Sequence, residues 1–418
     1  MIFRQFYLES LGHASYLIGS EETGEAFVLD ARRDVDPYFA YARSQGLTIS
    51  YAADTHQHND YLTGVTELRQ RSPLELLAGA RAELGYRARR LEDGECMLMG
   101  EIEFEAMHTP GHTPEHTSFL VRDLARGAEP VMLLAGGALL VDDVARPDLL
   151  GGPEEARGAA LQMAQSLREK IMTLPDHVLV YPTHVAGSLC GGNIGSMLVT
   201  TIGYEKRLNE TLRCAATEED FVGRCLDMDA LPTVPPYWRR MRKQNEEGPQ
   251  ALGVLPEPPA LSPDGFAAKR DAGAVVLDCR MPEAFGGGHV PGAYNVGLGS
   301  SFPTWAGSVL PPGRPPLLVL DGPDDLWEAC WHLLRIGYDL PQGWLAGGMM
   351  DWRTSGRESA SCRNGRWRSC TTGLTPRVCS FSMSVSRRSG RPVISPARPI
   401  SPAARWWSAS ARCRATGR

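Results

Sequence analysis

The sequence predicts an α/β protein built of two successive α/β units and a basic tail. Short apolar runs with strand character alternate with helical patterns as far as Arg353. A proline-rich stretch, Leu231 to Pro263, interrupts that alternation. From Ser359 onward, every lysine and every acidic residue disappears.

At about 150 residues per domain, 418 residues accommodate two or three domains. The apolar fraction of 43% and the charged fraction of 22% are those of a globular chain. The longest nearly apolar run, Val131 to Val141, has 11 residues. A membrane span needs about 20, so no membrane partner is expected. The opening MIFRQFYLES lacks a basic start followed by an apolar stretch, which argues against a secretory leader. Ten cysteines without a CxxC pair suggest free thiols in a reducing cytoplasm. The segment from Ser359 to Arg418 carries twelve of the 43 basic residues and no acid, leaving 31 basic against 49 acidic residues elsewhere. So acidic a body does not point to nucleic acid.

Residues 1–245 are expected to form the first unit. FYLESLGHASYLIG shows strand-like alternation, the turn SEETGE follows, and AFVLD is a second apolar strand. Further strands are expected at ISYAAD, EIEFEAMH, TSFLVRD, VMLLAG and HVLVYP, with helices at Thr63 to Arg71 and Glu154 to Thr173. Residues 246–261 are assigned to a linker, with the short basic helix WRRMRKQNEE inside the proline-rich stretch. A second unit, 262–356, has strands AVVLDCR and PLLVLDG and the helix DDLWEACWHLLRIGY, which suggests a small parallel sheet. The tail, 357–418, is Arg/Ser-rich and cannot build a packed core, so disorder is expected. Its abrupt composition reads as a shifted reading frame rather than as a natural basic tail for an anionic partner.

The strongest chemical signal is THQHNDY, Thr55 to Tyr61, placed after a strand. His56, His58 and Asp60 alternate, so on an extended or looping backbone two imidazoles and a carboxylate converge. Such a set suits zinc, iron or manganese. HTPGHTPEH supplies His108, His112 and His116, and its Pro-Gly turn aims His112 out of a strand end. His184 in YPTHVAGSLCG again follows an apolar strand. These six and His13, in LGHAS, make seven of the ten histidines. A single loop histidine is ordinarily solvated or a satisfied core group; three clusters, each after a strand, point to a metal site. His13, His108 and His116 are expected to support the site rather than ligate.

The strings LGHASYLIG, THQHNDYLTG, HTPGHTPEHTSFLV, ALLVDDVARPDLLG, YPTHVAGSLCGGN, TIGYEKRLN and PPYWRRMRKQNEEGP cover nearly all of residues 1–250. Together they resemble the metallo-β-lactamase superfamily, and more narrowly the bacterial persulfide dioxygenases that carry fused rhodanese domains. The resemblance implies an αββα sandwich and a single non-haem iron, Fe(2+), with zinc as the alternative metal. The implied ligands are His56, His112 and an aspartate, a face that leaves positions for dioxygen and substrate. The implied reaction is oxidation of a glutathione-type persulfide to sulfite and thiol. His58, Asp60 and His184 lie near the metal by the same resemblance. Arg146 is placed to hold a substrate carboxylate, with a structural pair to Asp148 as the alternative. Cys190 is either a thiol near the metal or a small buried residue.

Two departures matter. Tyr61 stands where the superfamily has a histidine of a second metal site, which favours one metal over two. Gly137, in Ala135-Gly136-Gly137-Ala138, occupies the position of the ligand aspartate. A metal-poor, slow or inactive centre is therefore expected. DCRMPEAFGGGHVPGAYNV and WLAGGMMDW resemble a rhodanese domain, but its strand LLVL runs into Asp321-Gly322-Pro323-Asp324-Asp325 where an active rhodanese has its cysteine. Three carboxylates repel a sulfane anion, so this unit reads as catalytically silent. The competing functions are a metal-dependent thioester hydrolase of glyoxalase II type and an inactive scaffold in sulfur metabolism. Homo-oligomerisation stays open.

Overall fold

The computed structural model describes residues 1–362, in two units: Met1–Val234 with Trp238–Gly253, and Pro235–Tyr237 with the chain from Val254. The expected tail beyond 362 lies outside the described residues.

The first unit is a four-layer αββα sandwich. One sheet holds β1 (Ile2–Leu8), β2 (His13–Gly19), β3 (Glu25–Leu29), β4 (Thr48–Ala53), β5 (Glu75–Gly79) and β6 (Arg89–Leu91) in sequence order. The other holds β7 (Cys96–Met99), β8 (Ile102–His108), β9 (Thr117–Asp123), β10 (Pro130–Gly136), β11 (Leu179–Pro182) and β12 (Thr200–Thr201), also in sequence order. Helices α1 (Asp36–Ser44) and α2 (Val65–Arg71) cover the first sheet. Helices α3 (Pro153–Glu169), α4 (Ile202–Leu208), α5 (Glu210–Cys214) and α6 (Glu218–Cys225) cover the second. Helix α7 (Trp238–Glu247) completes the unit.

Because both faces of each sheet are covered, central strands such as HASYLIG and EAFVL are largely apolar, and the period of two sorts their side chains between the layers. Tyr16, Ile18, Phe27, Leu29, Phe104, Phe119 and Leu134 fill the space between the sheets. Their neighbours Leu17 and Val28 face α1 and α2, and Leu120 and Leu133 face α3. Phe27 packs edge-on against Phe104 and Phe119, at 5.0 and 5.5 Å between ring centres. Truncating such a ring to alanine costs about 3–5 kcal/mol.

FYLESLGHASYLIG is not one strand but the turn and second arm of the β1–β2 hairpin, broken by a 3-10 turn at Glu9–Leu11. β5, β6 and β7 were not among the expected strands. β3 to β6 run parallel, so their carboxyl ends share one edge of the sandwich. At that edge His13 pairs with His184 in an isolated bridge that stitches the two sheets together. There β10 also loses register, between Leu134 and Gly136, in a bulge of the kind that re-aims a chain beside a site. Gly136 has φ 57°, and a Cβ on it would stand 2.4 Å from His116 Nε2, so only glycine fits the bend.

The second unit is a parallel sheet ordered β13 (Ala260–Leu261), β17 (Gly343–Leu345), β16 (Leu317–Val319), β14 (Val276–Asp278), β15 (Tyr294–Asn295). Its helices are α8 (Pro263–Asp271), α9 (Pro282–Gly287), α10 (Phe302–Val309), α11 (Leu326–Arg335) and α12 (Gly348–Thr354). Residues 357–362, read above as the start of the tail, belong to this unit. Ala360 and His289 exchange backbone hydrogen bonds of 3.0 and 2.9 Å, and the Trp352 indole donates to Glu358 O. The tail's composition begins before its structure departs. Among the described residues no helix is long and apolar enough to cross a membrane.

The loop after β10 is pinned by Glu205 of α4, a fully buried carboxylate that accepts from Thr200 Oγ1 (2.7 Å), Asn209 Nδ2 (2.8 Å) and Asp142 N (3.2 Å). Burial outweighs these bonds and pushes its carboxyl from 4.5 up to about 7. A folded-state value raised above the unfolded one contributes stability below about 4.5, and that stability is lost as pH rises through about 7. The melting-temperature difference between Glu205→Gln and the unaltered protein should therefore shift in the variant's favour by a few degrees from pH 5 to pH 8, about 2–4 °C per kcal/mol in a domain of this size. Thermal melts of both proteins at the two pH values would show it.

Candidate metal centre

Three loops beyond strand ends build the site. The β4–α2 loop carries His56, His58 and Asp60; the β8–β9 loop carries His112 and His116; the turn after β11 carries His184. In the second of these, Gly111 (φ 150°) lets the chain cross α3 closely: a Cβ there would stand 2.4 Å from Met163 Cβ.

His56, His112 and His184 are all buried, and their ligating nitrogens lie within 4.8 Å of one another. Ring centres are 4.8 Å apart for His56–His112 and 5.3 Å for each of the other two pairs. Hydrogen bonds fix the tautomers of His56 and His112 from behind. Thr55 Oγ1 gives its proton to Asp30 and so accepts from His56 Nδ1 at 2.9 Å. His112 Nδ1 donates to Arg146 O at 2.9 Å. His184 Nδ1 faces Asp60 Oδ2 at 3.5 Å. Although burial opposes a charge on His184, Cys190 and Asp60 raise its pKa well above the ordinary value. The Nε2 lone pairs of His56 and His112 are left to point inward, an arrangement that outer partners commonly impose on metal-binding histidines.

The donor set fits a cation. His56 Nε2 and His184 Nε2 are 3.3 Å apart. Two nitrogens about 2.0–2.1 Å from one tetrahedral ion are separated by roughly the same distance. His112 Nε2 is buried and has no hydrogen-bond partner among the described residues. Burial holds His56 well below its ordinary pKa and takes His112 down to about 3, helped by the neighbouring imidazoles, so both rings are neutral and ready to coordinate.

His58 is differently engaged. Its Nε2 meets Asp30 Oδ1 at 3.1 Å, and although burial opposes a charge, Asp30 raises its pKa. Its Nδ1 forms a second candidate group with Asp60 and His184. Burial would raise Asp60, yet His184 and His58 hold it down to about 2, so it is a carboxylate at neutral pH. Tyr61 turns its hydroxyl to Asp30 O (3.2 Å) and packs on His13 and His58. His116 is fully satisfied: Nε2 accepts from Gly137 N at 2.8 Å and Nδ1 meets Thr109 Oγ1 at 2.9 Å. His108 lies apart and meets Pro114 O.

Arg146 corrects the substrate-binding expectation. Its Nε and Nη2 fork onto Asp148 at 2.8 and 2.7 Å, and Nη1 donates to Pro232 O at 2.6 Å. All three nitrogens are engaged, so Arg146 serves the site through its backbone carbonyl. Cys190 is buried, with its thiol pushed up by burial.

Several functional groups gave no signal in the sequence. Asp30, after β3, accepts from Thr55 N (2.7 Å), Thr55 Oγ1, Thr183 Oγ1 and His58. Glu115 and residues of α7 brace the ligand loops. Only the position of Asp30 at the end of an apolar strand could have flagged any of these. In the second unit, Asp321 follows β16 closely, and the thiols of Cys279 and Cys330 are buried and pushed up, that of Cys330 to about 12. Neither is poised as a nucleophile.

A profile of the metallo-beta-lactamase superfamily matches residues 10–184, and one of the rhodanese-like domain matches residues 262–355. The mitochondrial persulfide dioxygenase ETHE1 of Homo sapiens is 30% identical over 224 residues, covering 52% of this chain and 78% of the human one. A hydroxyacylglutathione hydrolase of Rhodospirillum rubrum is also 30% identical over 224 residues, covering 53% and 77%. Among solved structures, a metallo-beta-lactamase from Staphylococcus aureus is 31% identical with a TM-score of 0.73, covering 82% of this chain and 98% of that one. ETHE1 from Myxococcus xanthus is 29% identical with a TM-score of 0.50, covering 59% and 98%.

Gly137 abuts the ligand ring. A Cβ on it would stand 2.5 Å from His112 Cδ2. Gly137→Ala should push His112 off its position and cost about 1–3 kcal/mol as overpacking. Thermal melts with and without added metal should show the loss, with less stabilisation by metal than in the unaltered protein.

Proposed function

The chain belongs to the metallo-beta-lactamase superfamily, and on that premise we propose that it oxidises a low-molecular-weight persulfide of glutathione type to sulfite and thiol. The balance is RSSH + O2 + H2O → RSH + SO3(2−) + 2 H+. Sulfur supplies the electrons that reduce dioxygen. The observation that carries this reading is the convergence of His56, His112 and His184 on one point. These three would hold a single non-haem iron, with zinc as the alternative metal. Bound there, the metal supplies the redox and Lewis-acid chemistry.

The chain's own residues position and exclude. The imidazoles would hold the cation, while Thr55 and the Arg146 carbonyl lock the tautomers of His56 and His112. Asp60, ionised beside His184, orients that ring. All three ligands are buried, which keeps bulk water from the persulfide. Tyr61 and Gly137 occupy the positions that a second metal needs, which favours one ion over a dinuclear hydrolase. The hydroxyacylglutathione hydrolase relative makes thioester cleavage the second reading.

Replacing a carboxylate ligand by glycine removes a negative charge from the centre, and we read the site as weakened by it. Even outer-shell losses cost about 10–100-fold in metal affinity. Iron content and persulfide-dependent oxygen uptake should be low for the unaltered protein. Gly137→Asp should raise both about tenfold, at some cost in thermal stability because His112 must give way. Zinc with thioester cleavage and no oxygen uptake would transfer the assignment to the hydrolase. Full iron occupancy and turnover, unimproved by the aspartate, would show that three imidazoles suffice. A thiosulfate:cyanide sulfurtransferase assay should give no activity attributable to the second unit. Measurable cyanide-dependent turnover there would overturn its silent reading.

A further inference from the structure

Helix α7, expected as a short basic helix within the proline-rich stretch, lies against the metal loops. Trp238, Met241, Arg242 and Asn245 recur at helical spacing and so share one face. Trp238, Met241 and Asn245 are buried. Asn245 Nδ2 donates to His58 O (2.8 Å) and Tyr61 O (2.9 Å), and Oδ1 accepts from Thr63 N (3.0 Å). One amide thus holds the β4–α2 loop at three points. Arg242 forks onto Glu115 with Nη1 at 3.2 Å and Nη2 at 3.0 Å, and its Nε is held by Glu246 at 2.8 Å. Glu115 is 3% exposed and sits between His112 and His116. Its Oε1 accepts from Gln57 N at 2.9 Å, between His56 and His58. One buried carboxylate thus joins the loop of His56 to the loop of His112, and α7 supplies its countercharge. A cavity of about 10 Å³ is lined in part by His56, Gln57, Glu115 and Asn245.

We infer that Glu115, Arg242 and Asn245 are positioning residues that set the spacing of His56 and His112, so that metal affinity is read through α7. This rests on the reading that His56, His112 and His184 hold one cation. Breaking a buried, hydrogen-bonded charge pair leaves Glu115 unneutralised and frees it to move, and with it both loops. A lysine at 242 keeps the charge but loses the fork, so it restores only part of the geometry.

The test uses the full chain stripped of metal and titrated with cobalt(II), whose visible bands report ligand geometry. Unaltered protein should bind one equivalent with d–d bands from the imidazole set. Arg242→Ala and Asn245→Ala should weaken cobalt binding about tenfold or more, the scale of lost outer-shell partners, and shift those bands. Arg242→Lys should fall between, and it serves if Arg242→Ala fails to fold. Lys243→Ala, on the 77%-exposed face of the same helix, should bind like the unaltered protein. A purely structural role would lower the melting temperature of the metal-free variants and leave affinity and bands unchanged, which would overturn the inference. Failure of the unaltered protein to bind cobalt would overturn the metal reading and this inference together.

Discussion

A single buried carboxylate organises the edge of the sandwich. Asp30 ends β3 with φ 54°, a left-handed backbone that a non-glycine residue adopts only when its surroundings enforce it. What enforces it is satisfaction. Thr55 of one ligand loop, Thr183 beside His184 and the ring of His58 all donate to its two oxygens. Its own carbonyl receives His13 Nε2 and the Tyr61 hydroxyl. Burial alone would raise its pKa, but these donors, His58 foremost, keep it below the ordinary value, so the charge stays where three loops need it. Removing that charge would leave several buried donors without an acceptor, a penalty of about 1–3 kcal/mol each.

From this hub the centre follows by hydrogen-bond bookkeeping. Asp30 orients Thr55, Thr55 orients His56, and the carbonyl of Arg146 orients His112. Each link fixes a proton on the outer nitrogen and leaves the inner one bare. Relatives named as persulfide dioxygenases and as hydroxyacylglutathione hydrolases are each 30% identical to this chain over 224 residues. On the function proposed above, Tyr61 and Gly137 would set how many ions the site takes and with what charge.

Much of the architecture was legible because its signals are local. The apolar strands AFVLD, TSFLVRD and VMLLAG and the helix at Thr63 to Arg71 emerged where their patterns placed them. His56, His112 and His184 share one feature readable in the chain, a turn directly after an apolar strand. What escaped reading depends on distant partners. Arg242 belongs to an arginine-rich string that resembles a solvated helix, and its carboxylate partner is 127 positions away. Glu205 looks like any charged helix residue until the loop of Asp142 closes over it. Arg146 allows two readings in the sequence, a substrate carboxylate or a pair with Asp148, and the fork onto Asp148 is the one formed. Asp148, two residues on, claims it at shorter range. The β1–β2 hairpin read as one run because both arms alternate in phase across its tight turn.

The three imidazoles do not come from one sheet. His56 extends from the first, whereas His112 and His184 extend from the second. No extended chain can present all three at once, so a cation captured there is bound by the native state and ignored by the denatured one. It would act as a staple across the two halves of the sandwich, with its grip adding to the free energy of folding by mass action. Depletion of metal would then reach beyond chemistry, shortening the lifetime of the fold in which the chemistry resides.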